Sequence, residues 1–199
     1  VGFGEQEFLH IKVIHENNIA IIQFNRSDSM NAANRQMVEE YHQAVEWANK
    51  DSRVQALIIT GNDKVYCVGG DFNFGEGMTG IGMNKYELYS YRGFHSKPKI
   101  AMISGYCLGG AVQQAMACDM RVASNSACFE MSEEWAACRQ TRVAGCGASL
   151  ASRSRIINAR EALRIGLVNM VVEQESLKET TMGLACLISK RSTGKGLNS

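Results

Sequence analysis

Apolar and polar positions along this chain fall into short strand-length runs and a few stretches with helical spacing. Residues 8–14 and 19–25 read as two strands, and His15-Glu16-Asn17-Asn18 between them suits a hairpin. Residues 31–50 read as an amphipathic helix with Asn31 as its N-cap, because Met37, Val38, Tyr41, Ala44, Val45 and Ala48 share one face. Residues 54–60, VQALIIT, form the next strand and lead through Gly61-Asn62-Asp63 to Tyr66-Cys67-Val68-Gly69-Gly70-Asp71. Residues 100–119 pass from an apolar run through Gly105, Gly109 and Gly110 into an Ala-rich segment. That pattern predicts a strand, a glycine turn and a helix starting near Gly110. Residues 120–123 and 127–131 are short strands, and 175–190 is a helix with Leu177, Leu184, Leu187 and Ile188 mostly on one face. Repeated strand–helix–strand order with long connections predicts an α/β fold.

Composition narrows the class. The chain has 199 residues, 45% hydrophobic and 21% charged, with a net charge of +1. That size supports a substantial core, and the charge balance gives no reason to expect a nucleic-acid partner. The longest apolar runs are strand length, so no membrane span is predicted, and the N-terminal residues carry no secretory-signal pattern. The seven cysteines are scattered without a C-x-x-C pair, which reads as free thiols in a reducing cytoplasm or organelle matrix. The four histidines do not cluster with them, so no metal site is expected.

The candidate chemistry lies in the two glycine turns. A glycine turn at a helix start leaves backbone N–H groups free, and glycine lets a ligand oxygen approach them. Two such turns can supply two donors to one developing oxyanion. The alternative is a pair of glycine-rich corners with no ligand. Residues 75–82, GEGMTGIG, fit a lid beside a site or a flexible linker. The aromatics of residues 86–95 fit an acyl pocket or helix packing.

The segment YCVGGDF resembles the FCAGADL-type motif of the enoyl-CoA hydratase/isomerase (crotonase) superfamily, and GYCLGGAVQQAMACD resembles its GYALGGGCELAMMCD-type motif. Asn25-Arg26 with Asn31-Ala32, Lys97-Pro98, Ala127-Cys128-Phe129 and AREALRIGLVN at 159–169 follow in the family's order. The resemblance implies a spiral of ββα turns over 1–155 and a C-terminal helical, trimerisation region over 156–199, here shortened. It implies a homotrimer or dimer of trimers acting on an acyl-CoA, with CoA present only as part of the substrate and no permanent cofactor. By the same resemblance the Gly70 and Gly110 amides bind the thioester oxygen, and Asp71, Phe72 and Asn73 line the CoA. Arg26 and Ala32 lie near its nucleotide.

Departures from the family pattern shape the expected reaction. Hydratases of this kind use two glutamates, and the first position here is Gln113, which hydrogen-bonds but accepts no proton. The second is Glu133, with Glu134 a close competitor and Ser132 in place of the usual proline. A single carboxylate suits double-bond isomerisation better than two-glutamate hydration. Decarboxylation, or a CoA-binding scaffold without catalysis, are the alternatives. Only eighteen residues separate Gly147 from Gly166, shorter than the helix and turn of the family.

Overall fold

The structure, a computed structural model, describes residues 8–71, 97–130 and 156–192. It opens with strands β1 (Ile11–Glu16) and β2 (Ile19–Phe24), paired antiparallel from Ile11 with Phe24 to Glu16 with Ile19. Asn17 and Asn18 both take left-handed backbone angles in the two-residue turn, as that tight hairpin requires. Helix α1 (Arg35–Lys50) follows, then β3 (Ala56–Thr60) and β4 (Val65–Cys67). After residue 96 come β5 (Lys99–Ile103), β6 (Tyr106–Leu108), α2 (Gly110–Met116), β7 (Met120–Ser124) and β8 (Cys128–Glu130). The last described segment supplies β9 (Ile157–Asn158), α3 (Ala159–Arg164), β10 (Met170–Val172) and α4 (Leu177–Ser192).

The strands divide between two sheets. The larger has the order β1-β2-β3-β5-β7-β10 and the smaller β4-β6-β8-β9. From β3 to β8, each strand of the large sheet is followed by one of the small sheet, and β5, β6 and α2 make a complete ββα turn. Except for the β1–β2 and β8–β9 pairs, neighbours run parallel. The expected spiral of ββα turns is therefore present. The 156–192 segment adds a strand to each sheet.

One core lies between the sheets and the helices α1, α2 and α3, and includes Phe24, Tyr41, Leu57, Tyr66 and Phe129. All six apolar residues expected on α1 are buried there. The other face of the large sheet is covered by α4 through Leu177 and Ala185 against Ile19, Ile21, Ile58, Ile100 and Val122. The expected α4 stripe is corrected in one place. Leu187 is exposed, and the buried line runs Leu177, Thr181, Ala185 and Ser189 at four-residue spacing.

The start of α1 needs a second correction. Asn34, not Asn31, is the N-cap, and its side chain accepts the Met37 amide at 2.9 Å. Asn31 instead has a left-handed backbone (φ 54°) and is fully buried. At the other end, Lys97 Nζ donates to the carbonyls of Ala48 at 2.6 Å and Asp51 at 2.5 Å, closing the last turn of α1. Among the described residues no helix is long and apolar enough to cross a membrane.

Candidate functional site

Parallel pairing of β4 with β6 aligns Cys67 with Cys107. Gly70 stands three residues beyond the first and Gly110 three beyond the second, so the two glycine turns leave the small sheet side by side. They abut. A Cβ on Gly69 would lie 3.2 Å from the Leu108 carbonyl oxygen and 3.5 Å from the Gly110 nitrogen, and one on Gly109 would lie 3.9 Å from Gly69 Cα. Gly69 and Gly109 have φ of 95° and 57°, angles that suit glycine.

Hydrogen bonding sorts the amides at this junction. The Gly69 N–H is turned toward Cys67 Sγ at 3.4 Å, and the Gly109 N–H donates to the Glu130 carbonyl at 2.8 Å. Asp71 N–H donates to the Ala33 carbonyl at 2.9 Å. Among the described residues the Gly70 and Gly110 amides donate to no acceptor, and each stands at the turn where the sequence places a donor. Gly70 is exposed and Gly110 is buried.

Gln113 and Gln114 are the fourth and fifth residues of α2 and are both buried. Gln114 is held in the core, where its Oε1 accepts the Tyr66 hydroxyl and its Nε2 donates to the Tyr41 hydroxyl at 3.0 Å. Burial raises the pKa of both phenols. The Cys67 thiol is pushed up to about 12 by burial, against the pull of the Gly69 and Ala33 amides and the Arg26 charge. Cys107 is raised well above the usual thiol range, also by burial. At neutral pH these groups are neutral, so neither thiol is an activated nucleophile. A cavity of about 20 Å³ beside them, lined by Phe24, Met37, Tyr41, Cys67 and Gln114 among others, has room for about one water.

Arg26, Ala32 and Asp71, expected together near a nucleotide, do come together, and they bond to one another. Arg26 Nη1 donates to the Ala32 carbonyl, and Nη2 donates to Asp71 Oδ2 at 3.1 Å. Phe72, Asn73, Glu133 and Glu134 lie outside the described residues, as do the glycine-rich 75–82 stretch, the aromatics of 86–95 and the 147–155 connection. Among the described residues no cluster of three or more metal-ligating side chains occurs.

Sequence reasoning misses the bonding role of Asn31, which it assigns as the N-cap. Its Oδ1 accepts the Arg26 amide at 2.9 Å, and its Nδ2 donates to the carbonyls of Val65 and Tyr66 at 3.2 and 3.1 Å. This ties the 26–31 loop to β4 just before the first glycine turn. The available signal was the pair of asparagines in Asn31-Ala32-Ala33-Asn34, of which only one can cap the helix.

Known proteins resemble the chain across most of its length. The family described as enoyl-CoA hydratase/isomerase matches residues 15–194. A crotonyl-CoA hydratase of Syntrophomonas wolfei is 35% identical over 178 residues, 81% of this chain and 68% of the relative. A short-chain-enoyl-CoA hydratase of Clostridium acetobutylicum is 33% identical over 186 residues, 85% of this chain and 71% of the relative. The crystal structure of an enoyl-CoA hydratase from Bacillus anthracis superposes with a TM-score of 0.79 at 26% identity, over 92% of this chain and 77% of that one. A family match of this extent, on a fold that carries the same two-sheet spiral, makes this protein a member of the enoyl-CoA hydratase/isomerase family.

Proposed function

We propose that the protein binds a short-chain acyl-CoA thioester with its carbonyl oxygen at the Gly70 and Gly110 amides, and that Glu133 moves the proton. The observation that carries this reading is the meeting of two glycine turns whose Gly70 and Gly110 amides have no acceptor among the described residues. Removing a proton beside a thioester builds enolate charge on the carbonyl oxygen. Donors already in place stabilise that charge without reorganising.

In isomerisation of a 3-enoyl-CoA, the Glu133 carboxylate takes a proton from the carbon next to the thioester. The electron pair spreads into a dienolate, and the same carboxyl returns the proton to the far carbon of the former double bond. Substrate and product differ only in the position of the double bond, and Glu133 ends as it began. Gln113, on the buried helix that leaves the second turn, offers a hydrogen bond to substrate or water but no proton exchange. Phe72 and Asn73 contact the CoA portion in this reading, and Arg26, Ala32 and Asp71 lie close to it with the Arg26 guanidinium already paired to Asp71. Hydration is the second reading, favoured by the hydratase names of both relatives, and it asks Gln113 to hold the attacking water.

Assays of 3-enoyl to 2-enoyl isomerisation and of crotonyl-CoA hydration test this. Glu133→Gln is expected to cut turnover by on the order of 10²–10⁴ with little change in CoA affinity. Gln113→Glu is expected to raise hydration by returning a second carboxylate. Wild-type protein inactive in both assays, with Gln113→Glu equally inactive, would favour the CoA-binding scaffold.

A further inference from the structure

We infer that Arg26 and Asp71 are positioning residues: their ion pair braces the first glycine turn so that the Gly70 amide is held at the angle from which it donates. The inference rests on the oxyanion reading of that turn.

The peptide joining Gly69 to Gly70 is trans, so its C=O and N–H point in opposite directions. The Gly69 carbonyl accepts the Ala33 N–H at 2.7 Å. The Gly70 N–H is thereby turned directly away from residue 33. Wherever Ala33 sits, it sets the direction of the candidate donor. On the other side of Gly70, Asp71 N–H returns a bond to the Ala33 carbonyl, and these two bonds make a single parallel bridge between Ala33 and Gly70.

A one-residue bridge beside two glycines is a weak restraint, because glycine backbone is free to rotate. Arg26 reinforces it from both flanks. Its guanidinium holds the Ala32 carbonyl, one residue before Ala33, and the Asp71 carboxylate, one residue after Gly70. The side chains are 15% and 29% exposed, so the charge-assisted bond is partly shielded from water. Asn31 anchors the base of the same loop by accepting the Arg26 amide. Arg26 is thus one planar fork spanning both strands of the bridge that aims Gly70.

The pairing also argues against a main role for Arg26 as an anion ligand. Its charge is already met by Asp71, and Asp71 would repel a CoA phosphate placed beside it.

The test uses Arg26→Gln, Asp71→Asn, the double variant and Arg26→Lys. Two readouts are taken: steady-state kinetics with an enoyl-CoA, and the infrared band of butyryl-CoA labelled at its thioester carbonyl and bound to the protein. Butyryl-CoA is saturated, so it reports polarisation without turnover. A brace predicts that each single variant lowers kcat about tenfold, with KM within about threefold. The double variant is expected to be no worse than the poorer single one, since both remove the same bond. The bound carbonyl band should move back toward the frequency of the free thioester, and Arg26→Lys, which keeps charge but loses the fork, should fall between. A rise in KM with kcat unchanged makes the pair a CoA ligand and overturns the brace. So does a loss of kcat with the carbonyl band unmoved. Should Arg26→Gln fail to fold, Asp71→Asn carries the same comparison. An unshifted band in wild-type protein with bound butyryl-CoA contradicts the oxyanion reading itself, a result distinct from either failure of the brace.

Discussion

At the scale of single residues, Gly69 is where the two turns press hardest on each other. Any side chain there must adopt φ of 95° and place its Cβ 3.2 Å from the Leu108 carbonyl. Gly69→Ala is therefore expected to store strain of about 1–3 kcal/mol and to push on the peptide that precedes Gly109 and Gly110. The shift passes from one candidate donor to the other, so activity should fall by more than stability alone explains. Circular dichroism melting paired with the enoyl-CoA assays measures both. A variant that melts several degrees lower with unchanged kcat would show that the turn junction is structural only.

At the scale of elements, two asparagines three residues apart do different work. Asn34 caps α1 with one bond, and its replacement by Ala is expected to cost about 1 kcal/mol. Asn31 makes three bonds, two of them fully buried, from a left-handed backbone, and its replacement takes the acceptor from Arg26 N–H and one donor from each of the Val65 and Tyr66 carbonyls. Asn31→Ala should cost about 2–4 kcal/mol, clearly more than Asn34→Ala, in urea unfolding. Equal costs would mean that the 26–31 loop is not organised by Asn31.

This pair also shows what the sequence can and cannot reveal. Helical spacing makes the buried face of α1 legible because Met37, Val38, Tyr41, Ala44, Val45 and Ala48 are all apolar. The first residue of the helix is not legible from that pattern, since Asn serves equally as a cap and as a left-handed loop residue. On α4 the buried line includes Thr181 and Ser189, whose hydroxyls bond to the Leu177 and Cys186 carbonyls, so an apolar count points partly to the wrong face. Both glycine turns and the helix start at Gly110 are legible. The contact between those turns is not, because it depends on the pairing of two three-residue strands, β4 and β6, too short to show a pattern. Likewise Arg26 and Asp71 each stand in a motif legible in the sequence, but a bond across 45 positions leaves no local trace.

At the scale of the whole molecule, the two-sheet spiral explains why the two glycine turns meet. Strands β4 and β6 each deliver a glycine corner to the same end of the small sheet, so residues 40 positions apart become neighbours. Tyr106, Leu163, Met170 and Leu187 are exposed apolar side chains on β6, α3, β10 and α4. With the trimer implied by the resemblance, light scattering is expected to give three or six times the 21.9 kDa mass of the chain. A particle of single-chain mass would show that this chain does not assemble on its own.

The central claim is that Gly70 and Gly110 together polarise a thioester carbonyl, and the bound carbonyl is where that shows. Butyryl-CoA labelled at the thioester carbonyl, bound to the wild-type protein, should give an isotope-edited infrared band at lower frequency than in water. Two fixed donors weaken the C=O bond more than mobile solvent does. A band at or above the aqueous frequency, with calorimetry confirming that the ligand is bound, would contradict the account.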